Sequence, residues 1–298
     1  MAVFDKKSLT ISEQADLLAA RGLVFSDKKR VEGYLRTIGY YRLSAYFYPF
    51  LQEPKTSHIY KPDSTFNKVL DLYRFDRKLR LVIFNEIEKI EVAVKSAFVN
   101  IVCDKTQDIF WMTDGSYLRQ GLHFDVNLHI QGIEAELEKS KEDFIKHFRT
   151  TYPNDPYPPA WMLVQILPLG SITQIYKHLN NQSLRKLVSN EFGLPPDIFE
   201  SWMRVVTNIR NVCCHHARAW NRTIPFRAIR PKKLVRWHHS YNTDRIFTVI
   251  CIIKYLIDII SPGNNFKMYL QDLLIRFPSI DISAMGFPLD WEKTVLWK

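Results

Sequence analysis

Several things are scarce or missing in this 298-residue chain, and each absence excludes something. Glycine is rare, at 10 residues, and no segment alternates apolar and polar residues between hairpin turns, which argues against a β architecture. The four cysteines, Cys103, Cys213, Cys214 and Cys251, contain no CxxC pair and two are adjacent, so a disulfide framework is not expected. No Walker A, GxGxxG, HExxH or GxSxG pattern occurs, which removes the commonest motif-bearing enzymes. The longest apolar run, Ile246 to Ile260, carries Lys254 and Asp258 and is too short and too charged to span a bilayer. A buried helix over 243–260 is expected there, and no membrane partner. Met1 to Lys7 lacks a basic stretch followed by an apolar one, so no secretory signal is expected, and reduced thiols fit a cytoplasmic location.

What is present is a folded, basic composition: 46% hydrophobic, 13% aromatic and a formal net charge of +10. The first two numbers provide a core, and the third makes a polyanion, nucleic acid first, the expected partner. No internal repeat is visible.

Helical signals recur along the chain. Thr10-Ile11-Ser12-Glu13 has the form of a capping box and Gly22 can close the helix it starts, which predicts a helix over 10–21. Ser26 or Asp27 caps a second, in which Val31, Tyr34, Leu35 and Ile38 hold helical spacing up to Gly39. In Tyr40 to Phe50, the spacing of Leu43, Tyr46, Phe47 and Phe50 favours core helix over a base-stacking platform. Pro54 and Pro62 mark 52–63 as a loop. From Ser64 to about Cys103 neither Pro nor Gly interrupts the pattern, so one long helix of roughly 60 Å, or two in tandem, is expected as the backbone of a bundle. Its Glu86, Glu88, Glu91, Lys89 and Lys95 read as ion pairs on a solvated face. Further helices are expected at 123–149, 160–167, 171–180, 183–192, from Asp197 onward, and near 265–276. A cation-rich link, including Arg222, Arg227, Arg230, Lys232, Lys233 and Arg236, follows the Asp197 helix, and a tail carries Trp291 and Trp297. The class is all-α: one domain over 1–298, with 1–62 an N-terminal helical subregion and 63–260 the core bundle.

The stretch richest in chemistry is Asn208 to Arg222, where Arg210 and Asn211 precede His215 and His216. At about 100° per residue, Trp202, Val206, Ile209 and Cys213 fall within about 40° of one line and define a core face. His216 falls at its edge, as a partly buried histidine with a structural partner. If the helix stays regular, Arg204, Asn208, Asn211, His215, Arg218 and Arg222 form an opposite stripe roughly 80° wide, with Arg210 between the two faces. The plain reading of that stripe is a solvated basic face. The chemical one is that a histidine moves protons between two oxygens while an arginine stabilises phosphoryl charge, which suffices to cleave RNA through its own 2′-OH without metal or cofactor. One helix sets Arg210 and His215 about 140° apart, so two copies facing across a two-fold axis would be needed to complete a cleft. Zinc is disfavoured because Cys213, Cys214, His215 and His216 diverge around one helix, and a Cys-His nucleophile because Cys213 lies on the core face.

Arg210-Asn211-Val212-Cys213-Cys214-His215 matches the R-N-x-x-x-H form of the Rx4-6H motif of HEPN-superfamily ribonucleases. With Tyr40 to Tyr46, then Phe75 to Arg80 and Ile87 to Ala93, then His215 to Arg222, the chain resembles the Abi-like (AbiD/AbiF) family of bacterial abortive-infection proteins. The resemblance implies an HEPN-type helical bundle with additional N- and C-terminal helices. It also implies a homodimer with a composite site, metal-independent endoribonuclease activity, and a toxin's role in phage defence, with RNA as substrate and a small RNA as restraint. It carries Arg210, Asn211 and His215 over as the catalytic group, with His216 also at a permitted spacing; Arg204, Arg218 and Arg222 are the RNA-binding candidates. Lys95 stands where an arginine is expected in this family. Two other readings compete: a non-catalytic protein that holds a structured RNA with the stripe and the 222–236 cations, and a helical adaptor in which the Arg-Asn-His group only knits helices together.

Overall fold

The computed structural model describes residues 7–238 and 244–298. Residues 1–6 of the N-terminal reading and position 243 of the helix expected over 243–260 lie outside them. Among the described residues the fold is all-α, with no strand and only isolated bridges. The chain divides into two compact units: residues up to Arg80 together with Gln271–Ile280, and Leu81–Leu270 together with Asp281–Lys298.

In the first unit, α1 (Ile11–Ala20) begins on the expected capping box: Thr10 Oγ1 accepts from the Glu13 amide at 3.2 Å and Glu13 Oε2 accepts from the Thr10 amide at 2.7 Å. It ends where Gly22 takes φ +92° and the Gly22 and Leu23 amides donate back to Ala19 and Leu18, a closure that favours glycine. Asp27 caps α2 (Lys28–Ile38) by accepting from the Arg30 amide. The aromatic stretch is core helix as expected: α3 (Tyr40–Phe47) buries Leu43, Tyr46 and Phe47, and continues into a 3-10 turn over Tyr48–Phe50. The Tyr46 hydroxyl donates to Asp76 Oδ2 at 2.5 Å, and Arg80 pairs with that same carboxylate, all three side chains buried. Burial first, then the Asp76 charge, pushes the Tyr46 hydroxyl well above the ordinary tyrosine range.

The long helix is one helix, α4 (Phe66–Thr106), of about 60 Å at 1.5 Å per residue. Its later part belongs to the second unit, where Ile83, Ile87, Ile90, Val94 and Phe98 enter the core. The solvated-face expectation is corrected there. Glu86 and Lys95 are buried and Glu91 is mostly so, because α4 is covered on more than one side; Glu91 pairs with Lys95 at 2.9 Å, and Glu86 with Lys89, whose side chain reaches toward solvent.

The helix expected over 123–149 is two, α5 (Val126–Lys139) and α6 (Asp143–Thr151). Ser140 leaves the helical conformation at ψ 128° and its Oγ accepts from the Glu142 amide, the local bond by which serine competes with the helix ladder. Arg149 of α6 then donates to the Leu137 carbonyl that the break exposes. The remaining helices fall within about two residues of expectation or close to it: α7 (Ala160–Ile166), α8 (Leu169–His178), α9 (Gln182–Asn190), α10 (Pro196–Cys214), α11 (Ile246–Ile260) and α12 (Phe266–Arg276). Within the second unit α10 packs against α8, α9 and α11. The buried helix α11 is apolar nearly all round, and Trp297 donates its indole N–H to Cys251 on it. Lys254 and Asp258 pair on this helix, and Asp258 also accepts from Arg236 at 2.6 Å and Asn264 at 2.9 Å, so the charges inside the apolar run are met. No helix among the described residues is long and apolar enough to cross a membrane.

Candidate functional site

The site is built on α10. Pro196 at its first turn suits a helix start, because the missing N–H is one that no helical carbonyl would have accepted. Trp202, Val206, Ile209 and Cys213 are buried as the face argument requires, and Phe199, Met203, Val205 and Val212 widen the face. The Trp202 indole donates to the Ile229 carbonyl at 3.0 Å and the Ser201 hydroxyl accepts from the Ile229 amide at 2.9 Å. The cation-rich link therefore runs back along α10 rather than away from it.

The regular stripe over 204–222 is not what forms. α10 stops at Cys214: His215 is its C-cap, His216 takes a left-handed φ of +54°, and the Ala217 and His216 amides donate to the Val212 and Cys213 carbonyls at 2.9 and 3.1 Å. This is a Schellman closure with histidine where glycine is usual. The chain turns there so that Ala219 and Trp220 enter the core. Two corrections follow. His216 is exposed, not the partly buried edge residue expected of a continuing helix. Arg218 and Arg222 do not extend the helical stripe; Arg222 Nη1 instead donates to the Arg218 carbonyl at 3.3 Å within the turn.

Arg204, Asn208, Asn211 and His215 do share one side of α10. Arg204 is exposed and lies over the Phe226 ring at 3.7 Å, which holds it by cation–π attraction. Asn208 Oδ1 is buried without a hydrogen-bond partner among the described residues. Asn211 and His215 are exposed, one turn apart, and the His215 amide closes the helix on the Asn211 carbonyl at 2.9 Å.

Arg210 is the residue whose setting was least visible in the sequence. Its Nε lies 3.4 Å from Glu91 Oε2 on α4, an ion pair without the alignment of a hydrogen bond, and Lys95 holds the other oxygen of the same carboxylate. The Arg210 side chain keeps 32% exposure, against 17% for Glu91 and 11% for Lys95. Its two terminal nitrogens have no partner among the described residues. One carboxylate thus stands against two cations, and the guanidinium is held by one edge with the other edge available. Glu91 and Lys95 carried a signal in their i, i+4 spacing, but nothing in the sequence joined that pair to α10. Arg227, Arg230, Lys232 and Lys233 of the returning link are exposed. No three His, Cys, Asp or Glu side chains among the described residues come together as a metal-ligand set.

The fold is all-α among the described residues, with Arg210, Asn211 and His215 at the end of one helix. The model of the family described as Abi-like protein matches residues 33–221, and the chain belongs to that family. The match spans α2 to the turn beyond α10 and so includes Asp76, Glu91, Arg210 and His215. Family membership suggests a part in abortive-infection defence against phage. A comparison with curated proteins gives no match, and a comparison with solved structures gives none.

Proposed function

We propose that this Abi-like protein is a metal-independent endoribonuclease of HEPN type, acting as a toxin in phage defence, with its active site shared between two copies of the chain. The observation that carries the reading is Arg210: a half-open guanidinium fixed by Glu91 at one edge, beside exposed Asn211 and His215 at the end of the same helix. A pre-fixed cation needs little reorganisation when charge develops on a phosphoryl oxygen. His215 would take the proton from the ribose 2′-OH as that oxygen attacks phosphorus, and the partner's His215 would protonate the departing 5′ oxygen. At phosphorus one P–O bond forms and one breaks, the 2′ oxygen loses a proton and the 5′ oxygen gains one, and the products are a 2′,3′-cyclic phosphate and a 5′-OH. Arg204, Arg218, Arg222 and the exposed cations of 227–233 would hold the RNA backbone.

The test is cleavage of a structured RNA by purified full chain in EDTA, with the ends of the products identified. Cyclic phosphate and 5′-OH ends support the reading, as does loss of cleavage in His215→Ala. Cleavage that needs a divalent ion overturns it. Exposed Arg227, Arg230, Lys232 and Lys233 favour a second reading, a protein that holds a small structured RNA without cutting it. Co-purification of an intact small RNA, bound equally by wild type and His215→Ala and weakening steeply with salt, would select that reading.

A further inference from the structure

The first unit contains a cavity of about 1080 Å³ that the proposed chemistry does not use, whose described lining residues all fall between Lys7 and Tyr60. That volume lies just above the range of small-ligand sites, roughly 300–1,000 Å³. Its walls come from α1, α2 and α3 and the loop beyond: Leu17, Leu35, Phe47 and Leu51 provide apolar surface. The charges are one-sided. Lys7, Arg21 and Lys55 line it, and among the described lining residues none is Asp or Glu.

Arg21 is placed by two neighbours. Its Nη1 donates to the Tyr40 hydroxyl at 3.0 Å, and its backbone carbonyl accepts from the Tyr60 amide at 2.9 Å. The Tyr60 ring packs edge-on against Phe47, and its hydroxyl has no hydrogen-bond partner among the described residues. Burial first, then the neighbouring Tyr40, pushes that hydroxyl above the ordinary tyrosine range, so it stays a hydrogen-bond donor near the Arg21 guanidinium. Lys55 is shared: Glu53, itself outside the lining, lies 3.4 Å from its Nζ. Arg21 has no carboxylate partner among the described residues and is held in place by Tyr40, so it is the positioned anion-seeking group of the cavity.

We propose that this cavity binds a small anionic amphiphile, an apolar or aromatic body carrying one carboxylate, phosphate or sulfonate, with the anionic group on Arg21 and Tyr60 and the body against Leu17, Leu35 and Phe47. Apolar walls select against bare phosphate, and the missing carboxylates select against a cation. The proposal concerns the first unit alone and stands whether or not the ribonuclease reading holds.

The experiment uses the full chain and two probes that differ in charge, 8-anilinonaphthalene-1-sulfonate and the uncharged N-phenyl-1-naphthylamine. Both should bind saturably at one site. Arg21→Gln should weaken the sulfonate by about tenfold or more, the size of a lost charge-assisted contact, and leave the neutral probe unchanged. Ser44→Trp, which places an indole on the lining, should abolish both, with the thermal transition of each variant confirming a folded chain. Displacement of the sulfonate by dodecanoate identifies an acyl anion, and by adenosine 5′-monophosphate an aromatic phosphate. Binding untouched by Ser44→Trp, equal loss of both probes in folded Arg21→Gln, or displacement by neither anion but by a single-stranded oligoribonucleotide would each overturn the proposal.

Discussion

Two arginines sit against carboxylates of α4, and they differ in what is left over. Arg80 is 7% exposed and Asp76 0%, and the buried Tyr46 hydroxyl donates to the same carboxylate, so neither charge is open to solvent. Arg210 meets Glu91 by one edge, shares it with Lys95, and keeps a third of its side chain and both terminal nitrogens open. A closed buried network holds a fold together, because removing one member strands a charge in low dielectric. A half-open one has a fixed charge to offer a second molecule. In the sequence Asp76 and Arg80 stand at i, i+4 spacing, whereas Glu91 and Arg210 are brought together only by the packing of two helices, and the burial of each side chain then separates the closed pair from the open one.

The comparison can be broken at four points. The largest effect belongs to the closed network: Asp76→Ala leaves Arg80 buried without its carboxylate and should cost about 3–5 kcal/mol in denaturant unfolding, while cleavage per folded molecule is unchanged. His215→Ala should lower the RNA cleavage rate by roughly 10²–10⁴-fold with a normal thermal midpoint, as expected for loss of a proton-transferring group at an exposed position. Glu91→Gln keeps the shape but removes the charge that fixes the Arg210 edge; a fall of about tenfold in kcat with KM little changed would mark it as a positioning residue, within the range of a lost ion-pair contact. The smallest effect is pH dependence. Burial and Asp76 raise the Tyr46 pKa in the folded chain, so the stability it contributes is complete below the unfolded value of about 10 and falls as pH rises from there toward the raised folded value. Unfolding free energy measured from pH 8 to 11 should fall more steeply in wild type than in Tyr46→Phe.

Much of the fold was legible because its signals are local. Thr10 and Glu13 name a helix start, Gly22 its end, Asp27 the next start, and the absence of Pro and Gly from 64 to 103 gives α4 its length. Two helix ends were illegible for the same reason. At Ser140 and at His215 the chain leaves the helix without a glycine or proline, in the first case through a serine's own hydrogen bond and in the second because Trp220 must reach the core. The face of α10 that packs inward could be read from Trp202, Val206, Ile209 and Cys213. The setting of Arg210 could not, since it depends on which carboxylate of another helix a tertiary contact brings within 3.4 Å. For the same reason Glu91 and Lys95 looked like a surface pair until their burial was known.

Arg210→Ala, measured for both stability and cleavage in one preparation, tests the half-open reading most directly. The expected result is a loss of about 10²–10³-fold in RNA cleavage, the size of a lost transition-state charge contact, with an unfolding midpoint close to wild type because the side chain is a third exposed. An Arg210→Ala chain that cleaves as wild type does, or that loses stability on the scale of Asp76→Ala, would contradict it.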